Sequence, residues 1–128
     1  MKRKSATQHP VAAFERVKQI GLALSNVEAA TKYDGSPVLK LHGCFMAGLA
    51  THPSSEPDTL VVRADFEERQ RLIEEAPDTY YITAHYRAYP VVLARLSQFN
   101  PDALRDLLAA SWRLTLQKAR IRRPAPPT

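Results

Sequence analysis

The segment Val38–Ala50, which reads VLKLHGCFMAGLA, decides the fold class of this sequence. Its first five residues alternate between apolar and polar, with Lys40 and His42 on one side of a predicted half-buried strand. Gly43 interrupts the alternation, and residues 44–50 resume as a second apolar run. Two short strands with a break between them predict a β-hairpin that turns near His42 and Gly43.

Further strands and helices are predicted on both sides of this hairpin. The run Thr59–Arg63 is rich in β-branched residues and predicts a third strand. Asp65 followed by Glu68 is typical of the first turn of a helix, which must end before Pro77. The remaining predicted elements are an opening helix from Pro10 to about Leu24, a short strand over 30–33, strands over 80–83 and 90–96, and a last helix that Asn100 caps.

The order of these elements favours an α+β fold. Helix, three or four strands, helix, two strands and helix predict an antiparallel sheet of about five to six strands. Three helices packed on that sheet make a two-layer domain. A doubly wound parallel sheet requires regular βαβ units, and this order does not contain them.

The positive charge of the sequence is concentrated at its two ends. The 128 residues carry a formal net charge of +5, yet residues 5–117 hold 11 basic and 13 acidic side chains. Lys2, Arg3 and Lys4 supply three cations, and residues 118–123 supply four more. A chain of this length makes one domain. We therefore predict a flexible basic tail over 1–9, a single domain over 10–118 and a basic, proline-rich tail over 119–128.

The N-terminal segment and the apolar content of the chain indicate where the protein works. Lys2, Arg3 and Lys4 are followed by a polar segment, where a signal peptide needs an apolar one. No apolar run of the sequence approaches the roughly 20 residues of a membrane span. We therefore expect a cytoplasmic protein that has no membrane partner.

Few residues of this sequence favour metal binding or catalysis. The single cysteine, Cys44, excludes an internal disulfide and a cysteine-rich zinc site. The four histidines are scattered, and only His42 lies near Cys44, on the same predicted strand face. The sequence contains no glycine-rich phosphate-binding motif and no nucleophile with an assignable base. We expect no catalytic residue, no metal site and no cofactor, and hence a protein that is not an enzyme.

Three segments of the chain resemble the MmcQ/YjbR-like family. They are Tyr80–Leu96, which reads YYITAHYRAYPVVLARL, Asn100–Leu104 and Ala110–Arg113. Leu39–Ala47 looks like the central hairpin of that family, so the resemblance covers roughly residues 10–118. It implies a bacterial-type protein with a fold similar to the frataxin or CyaY-like fold. It also implies the label that this family carries, DNA-binding protein.

The stretch between Tyr80 and Tyr89 carries the most distinctive local chemistry. It contains four tyrosines, one histidine and one arginine, and Arg95 follows on the next predicted strand. Aromatic rings beside guanidinium groups can stack bases while they neutralise phosphates. The same composition is also typical of strands and structured loops whose tyrosines pack on a core. The candidate nucleic-acid-binding residues are Lys40, His42, Tyr86, Arg87, Tyr89, Arg95 and Arg113.

The last predicted helix contains a second aromatic and basic pair, Trp112 and Arg113. Leu108, Trp112 and Leu116 recur at four-residue spacing, which places them on one face of the helix. This spacing favours packing of Trp112 against the core, whereas Arg113 stays a candidate for phosphate contact.

Two classes of function remain open, and they differ in their expected response to salt. The first is a non-enzymatic module that binds DNA weakly and without sequence preference, through electrostatic and aromatic contacts. The second is a protein-interaction or small-ligand domain that uses the same aromatic surface and tolerates salt. An enzyme requires a pocket of perturbed ionisable groups, which the sequence does not reveal. We expect a monomer, and no helix-turn-helix pattern indicates sequence-specific recognition.

Overall fold

The computed structural model describes residues 10–122 and contains, within that range, three α-helices, six β-strands and one short 3₁₀ helix. The helices are α1 (Pro10–Leu22), α2 (Phe66–Glu75) and α3 (Pro101–Arg122), and the 3₁₀ helix is Leu96–Gln98. The strands are β1 (Val27–Thr31), β2 (Pro37–Leu41), β3 (Cys44–Leu49), β4 (Thr59–Arg63), β5 (Tyr80–Tyr81) and β6 (Val91–Arg95).

The six strands form one antiparallel sheet in the order β1-β2-β3-β4-β6-β5. The first four strands are neighbours in chain order, whereas β6 inserts between β4 and β5. Thr59 of β4 therefore faces Arg95 of β6, and Tyr80 of β5 faces Ala94 of β6. The predicted α+β fold, with an antiparallel sheet and three helices, is confirmed.

The predicted turn between β2 and β3 is present in the structure. Leu41 pairs with Cys44, and His42 and Gly43 between them have φ angles of 52° and 79°. Two consecutive residues with positive φ match the twist of a tight two-residue hairpin. The prediction that His42 shares a strand face with Lys40 and with Cys44 is wrong, because His42 belongs to this turn and not to a strand.

Helices α2 and α3 both begin at the predicted capping residues, Asp65 and Asn100. The side chain of Asp65 accepts a hydrogen bond from the Glu68 backbone N–H at 2.7 Å. The side chain of Asn100 accepts one from the Ala103 backbone N–H at 2.8 Å. These bonds satisfy N–H groups that have no partner within the helix, so each cap determines where its helix begins.

The helices cover one face of the sheet and build the main core there. Phe14 and Val17 of α1 and Leu104 and Leu108 of α3 are buried against that face. Burying a large apolar side chain contributes about 1.5–3 kcal/mol, so this layer is the main source of stability. Trp112 packs on the same core, as predicted. The buried strand residues on this face include Leu39, Leu41, Met46, Leu60, Val62 and Val92.

Two element boundaries in the first half of the chain differ from the prediction. The opening helix ends at Leu22 instead of near Leu24. The short strand predicted over 30–33 lies at Val27–Thr31, because its ends are set by pairing with β2. Lys32 begins the turn that follows, and its N–H donates to the Ser36 carbonyl at 2.9 Å.

The last helix is longer than the sequence predicted. It continues to Arg122, so residues 119–122 of the predicted tail are helical. The rest of that tail and the predicted tail over 1–9 lie outside the described residues. Between residues 10 and 122, no helix combines the length and apolar content that crossing a membrane requires.

Candidate functional site

The sheet face opposite the helices, here called the open face, carries a second apolar cluster. Val61, Val91 and Leu93 are buried there. Residues 82–90, here called the aromatic loop, fold over this cluster and pack Tyr86 against it. Burial raises the pKa of the Tyr86 phenol. The loop covers part of the open face, and its side chains form a wall beside the part that it leaves uncovered.

Arg69 of α2 holds the aromatic loop in place. Its Nη1 donates to the carbonyl oxygens of Tyr89 at 3.0 Å and Val91 at 3.2 Å. Its Nη2 donates to the carbonyl oxygen of Arg87 at 3.1 Å. Burial, followed by the positive charge of Arg87, lowers the pKa of Arg69. Sequence reasoning missed Arg69, because α2 and the aromatic loop meet only in the folded protein.

A second set of contacts joins the aromatic loop to the loop over 51–58. The rings of His52 and His85 stack with their centroids 3.5 Å apart and an interplanar angle of 9°. The hydroxyl oxygens of Ser54 and Thr83 lie 2.9 Å apart. Nδ1 of His52 also accepts from the Ser54 backbone N–H at 3.0 Å, which assigns the proton of the neutral ring to Nε2. The two loops are thus held together beside the open face.

The aromatic loop borders a groove of about 340 Å³ on the open face. Its volume lies within the range of small-ligand pockets, roughly 300–1,000 Å³. No aspartate or glutamate is among its lining residues. They are Phe45, Val61 and Val91 on the strands, His85, Tyr86, Tyr89 and Pro90 on the loop side, and the cations Lys32 and Arg63.

The two cations that line the groove are anchored to the backbone of the sheet. Nζ of Lys32 donates to the Leu49 carbonyl at 3.2 Å. Nε of Arg63 donates to the Phe45 carbonyl at 2.8 Å. These bonds determine where the two positive charges lie, in a lining that contains no aspartate or glutamate.

Arg95, at the other end of β6, has a different environment. Its Nε and Nη2 donate to the two carboxylate oxygens of Glu56 at 2.8 and 2.7 Å. Its Nη1 donates to the carbonyl oxygens of Pro77 and Asp78 at 3.2 and 3.1 Å. The hydrogen bond from Arg95 is the main cause that lowers the pKa of Glu56, and it raises the pKa of Arg95 in turn.

Tyr81 completes the surroundings of Arg95. The Arg95 guanidinium lies 4.3 Å from the centre of the Tyr81 ring, and the Tyr81 hydroxyl oxygen lies 2.6 Å from the hydroxyl oxygen of Thr59. The Tyr81 hydroxyl also accepts from the Glu56 backbone N–H at 2.8 Å. We call these four residues, Glu56, Thr59, Tyr81 and Arg95, the arginine clamp. Their polar groups bind one another and hold the loop over 51–58 on the sheet.

Three of the predicted site residues come together in the aromatic loop, and a fourth pairs with a strand residue of the groove lining. Tyr86, Arg87 and Tyr89 share the aromatic loop, and both tyrosines line the groove. Lys40 is the register neighbour of Phe45 on β3 and lies outside the groove lining. Sequence reasoning therefore identified the loop side of the groove.

The other predicted site residues lie elsewhere in the molecule. Arg95 belongs to the arginine clamp. His42 occupies the hairpin turn and lines a separate pocket with α3. Arg113 is exposed on α3 and borders a cavity between α2 and α3. Sequence reasoning missed the groove cations Lys32 and Arg63, because both lie far in the chain from the aromatic cluster over residues 80–89.

Within residues 10–122, no three histidine, cysteine, aspartate or glutamate side chains lie close enough together to hold a metal ion. Cys44 is a buried thiol on β3. The groove on the open face is therefore the candidate functional site.

Comparison with known proteins gives a family and relatives. The YjbR family model matches residues 22–114, which is more than half of the chain. The uncharacterized proteins Rv2570 of Mycobacterium tuberculosis and Mb2600 of Mycobacterium bovis are each 33% identical to this chain over 72 residues. The match covers 53% of this chain and 56% of each relative, so the chain spans about half the length of these curated relatives.

A solved structure agrees with the fold. The crystal structure of Deinococcus radiodurans protein DR2400, with the family-model domain DUF419, is similar with a TM-score of 0.68 and 20% sequence identity. The similarity covers 87% of this chain and 83% of that chain. At this identity the likeness concerns the fold alone. From the extent of the family-model match, the chain belongs to the YjbR family.

Proposed function

We propose that this protein is a cytoplasmic, non-enzymatic module that binds single-stranded DNA in the open-face groove, weakly and without sequence preference. The observation that carries the proposal is the composition of the groove. Three aromatic side chains and two cations surround an apolar floor, and no carboxylate lines it. Grooves that bind single strands combine positive charge along the backbone with aromatic rings on which bases stack.

The aromatic loop supplies the stacking surface. Tyr89 keeps 55% of its surface exposed, whereas Tyr86 is half-buried and supports the loop from below. A base stacked on Tyr89 contacts the apolar floor formed by Val61 and Val91. Stacking of a base on an aromatic side chain contributes about 1–3 kcal/mol. Because the bases of a duplex already stack on each other, this surface favours an unpaired strand.

The cations supply the attraction for phosphate. Lys32 and Arg63 lie in the groove lining, and Arg87 is exposed on the aromatic loop beside it. Each phosphate that such a cation neutralises releases counterions, so the affinity falls as salt rises. Their contribution is local, because residues 5–117 as a whole carry more acidic than basic side chains.

The polar groups of the groove favour binding without sequence preference. Lys32 and Arg63 already donate to backbone carbonyls of the protein, and the floor between them is apolar. Reading a base requires donors and acceptors aimed at its edge. A groove with this lining contacts the faces of bases and the phosphates, which all sequences share.

The size of the groove also favours a second candidate function. A volume of about 340 Å³ suits a small planar anion as well as one nucleotide of a strand. The two functions differ in their salt dependence, since a strand releases counterions from several phosphates and a small anion does not.

Fluorescence anisotropy of labelled oligonucleotides tests the proposal. The full-length protein is titrated against single-stranded and double-stranded DNA of the same sequence, at low and near-physiological salt. We expect Tyr89→Ala to weaken single-strand binding by about tenfold, which corresponds to about one stacked base. We expect Lys32→Gln to reduce the salt slope by roughly the contribution of one phosphate. Arg113→Gln, which removes the same charge from the helical side, should leave the affinity nearly unchanged.

Three results would overturn the proposal. Equal weakening by Arg113→Gln and Lys32→Gln would assign the binding to overall charge and remove the groove as its site. An affinity that does not respond to Tyr89→Ala would exclude stacking in the groove. Saturable binding of adenosine monophosphate in the groove, without binding of any oligonucleotide, would establish the second candidate function instead.

A further inference from the structure

A second pocket lies on the helical side of the sheet and shares no lining residue with the groove. Its volume is about 380 Å³. Trp112, Leu116 and Arg120 form one side of it, and their four-residue spacing places them on one face of α3. The His42–Gly43 turn and the segment before β1 close the other side through His42 and residues 25–26.

The backbone around this pocket is held in a defined geometry. Nε1 of Trp112 donates to the Ser25 carbonyl at 2.9 Å, which ties the indole to the segment before β1. Val27 pairs with Leu41, so Asn26 and His42 are neighbours at the ends of β1 and β2. Both have positive φ angles, 65° and 52°, which are uncommon for residues other than glycine. At His42 this is the geometry of the hairpin turn, which fixes the position of the backbone that carries the imidazole beside the pocket.

The pocket offers hydrogen-bond donors and no carboxylate. Asn26, His42 and Arg120 are exposed at its rim, and no aspartate or glutamate lines it. Within the described range 10–122, the side chains of these three residues have no hydrogen-bond or ion-pair partner. A guanidinium matches the geometry of a phosphate or carboxylate, and an imidazole and an amide add further donors.

The part of the pocket that Trp112 and Leu116 form is apolar. Trp112 and Leu116 are partly buried and pack on the main core, so their outer surfaces form a firm wall beside the donors. An indole and a leucine favour contact with a flat ring. We propose that this pocket binds a small aromatic anion, a planar ring that carries a phosphate or a carboxylate, with the ring on Trp112 and the anionic group on Arg120.

Tryptophan fluorescence tests this assignment directly, because Trp112 is the single tryptophan of the chain. The full-length protein is titrated with adenosine monophosphate, phenylacetate, adenosine and inorganic phosphate. We expect a saturable change with at least one of the two aromatic anions, and about tenfold weaker binding of adenosine and of phosphate alone. Comparison of adenosine monophosphate with phenylacetate identifies which anionic group the pocket takes.

Two variants separate binding in this pocket from general charge attraction, and the position of Trp112 separates it from binding in the groove. Arg120→Gln should weaken binding of the aromatic anion by about tenfold, because it removes a charge-assisted contact. Lys118→Gln removes the same charge two residues away and should leave the affinity unchanged. The fluorescence of Trp112 reports on this pocket, since Trp112 is not among the lining residues of the groove. No saturable change with either aromatic anion at millimolar concentration would overturn the proposal. Equal effects of Arg120→Gln and Lys118→Gln would overturn it as well.

Discussion

Both ends of the open face combine tyrosine with arginine, yet only one end has the properties of a binding site. In the arginine clamp, Arg95 donates to the Glu56 carboxylate and to two backbone carbonyls, and Tyr81 binds the Thr59 hydroxyl. In the groove, Tyr89 is exposed and no carboxylate lies in the lining. The comparison teaches that the partners of a residue, and not the residue types, decide whether it is available to a ligand.

The position of one acidic residue accounts for much of this difference. Glu56 lies on the loop over 51–58 and reaches Arg95 from 39 positions away in the chain. The lining of the groove, by contrast, contains no aspartate or glutamate. The same loop contributes His52 to the stack with His85, so it neutralises one end of the open face and supports the wall at the other.

The largest expected effect comes from shortening Leu93, a buried side chain between the groove and the arginine clamp. Leu93 is fully buried and is the register neighbour of Val61 and of Tyr81. We expect Leu93→Ala to lower the free energy of unfolding by about 3 kcal/mol, because it leaves a cavity. Urea denaturation measures the loss, and Leu93→Met is the volume-conserving control, with a cost below about 1.5 kcal/mol. A cost below about 1 kcal/mol for Leu93→Ala would contradict this role of Leu93 in packing between the two regions.

The next effect concerns the groove side alone. We expect Arg69→Met to cost about 2 kcal/mol in the free energy of unfolding, because three backbone carbonyls lose a charged donor. Single-strand binding should weaken too, since the wall of the groove loses its anchor. Arg71→Met on the same helix removes only exposed ion pairs and should lower the free energy of unfolding clearly less than Arg69→Met does. Equal stability of the two variants would contradict an anchoring role for Arg69.

A smaller effect is expected at the arginine clamp. Arg95→Met should cost about 1 kcal/mol of stability, because the ion pair with Glu56 is partly exposed and two carbonyl contacts are lost with it. The affinity for single-stranded DNA should change no more than it does in Arg113→Gln. A tenfold loss of affinity in Arg95→Met would show that the clamp opens to bind DNA.

The smallest effect is the pH dependence of the clamp. Hydrogen bonding to Arg95 lowers the pKa of Glu56, so the folded state favours its charged form. The resulting stability is fully present above the ordinary pKa of glutamate, and it is lost as pH falls through the lowered value. The difference in unfolding free energy between the wild type and Glu56→Gln should therefore shrink on acidification. Glu67→Gln, at an exposed position, is the control. If the difference between the wild type and Glu56→Gln grows at acidic pH, the predicted direction is wrong.

Elements with strong local signals could be predicted with accurate bounds. The strand Thr59–Arg63 and the turn at His42 and Gly43 agree with the structure, as do the caps at Asp65 and Asn100. Each depends on residues within a few positions of one another. The bounds of β1 differ from the prediction because they depend on pairing with β2, and not on an apolar pattern within β1.

The candidate site was predicted in part, for the same reason. Tyr86 and Tyr89 stood out because they are adjacent in a dense aromatic segment. Lys32, Arg63 and Arg69 approach the aromatic loop from other elements, so no sequence window contains them together with it. The nucleic-acid role assigned to the groove stays a prediction until binding is measured.

The sequence by itself determined the α+β class, the central hairpin, the helix caps and membership of a recognisable family. These features follow from backbone propensity, apolar periodicity and short motifs, which act over a few residues. Only the tertiary structure decided that β6 lies between β4 and β5, that Glu56 binds Arg95 and that Trp112 lies beside His42. These arrangements join residues tens of positions apart, and their geometry depends on how the whole sheet and its helices pack.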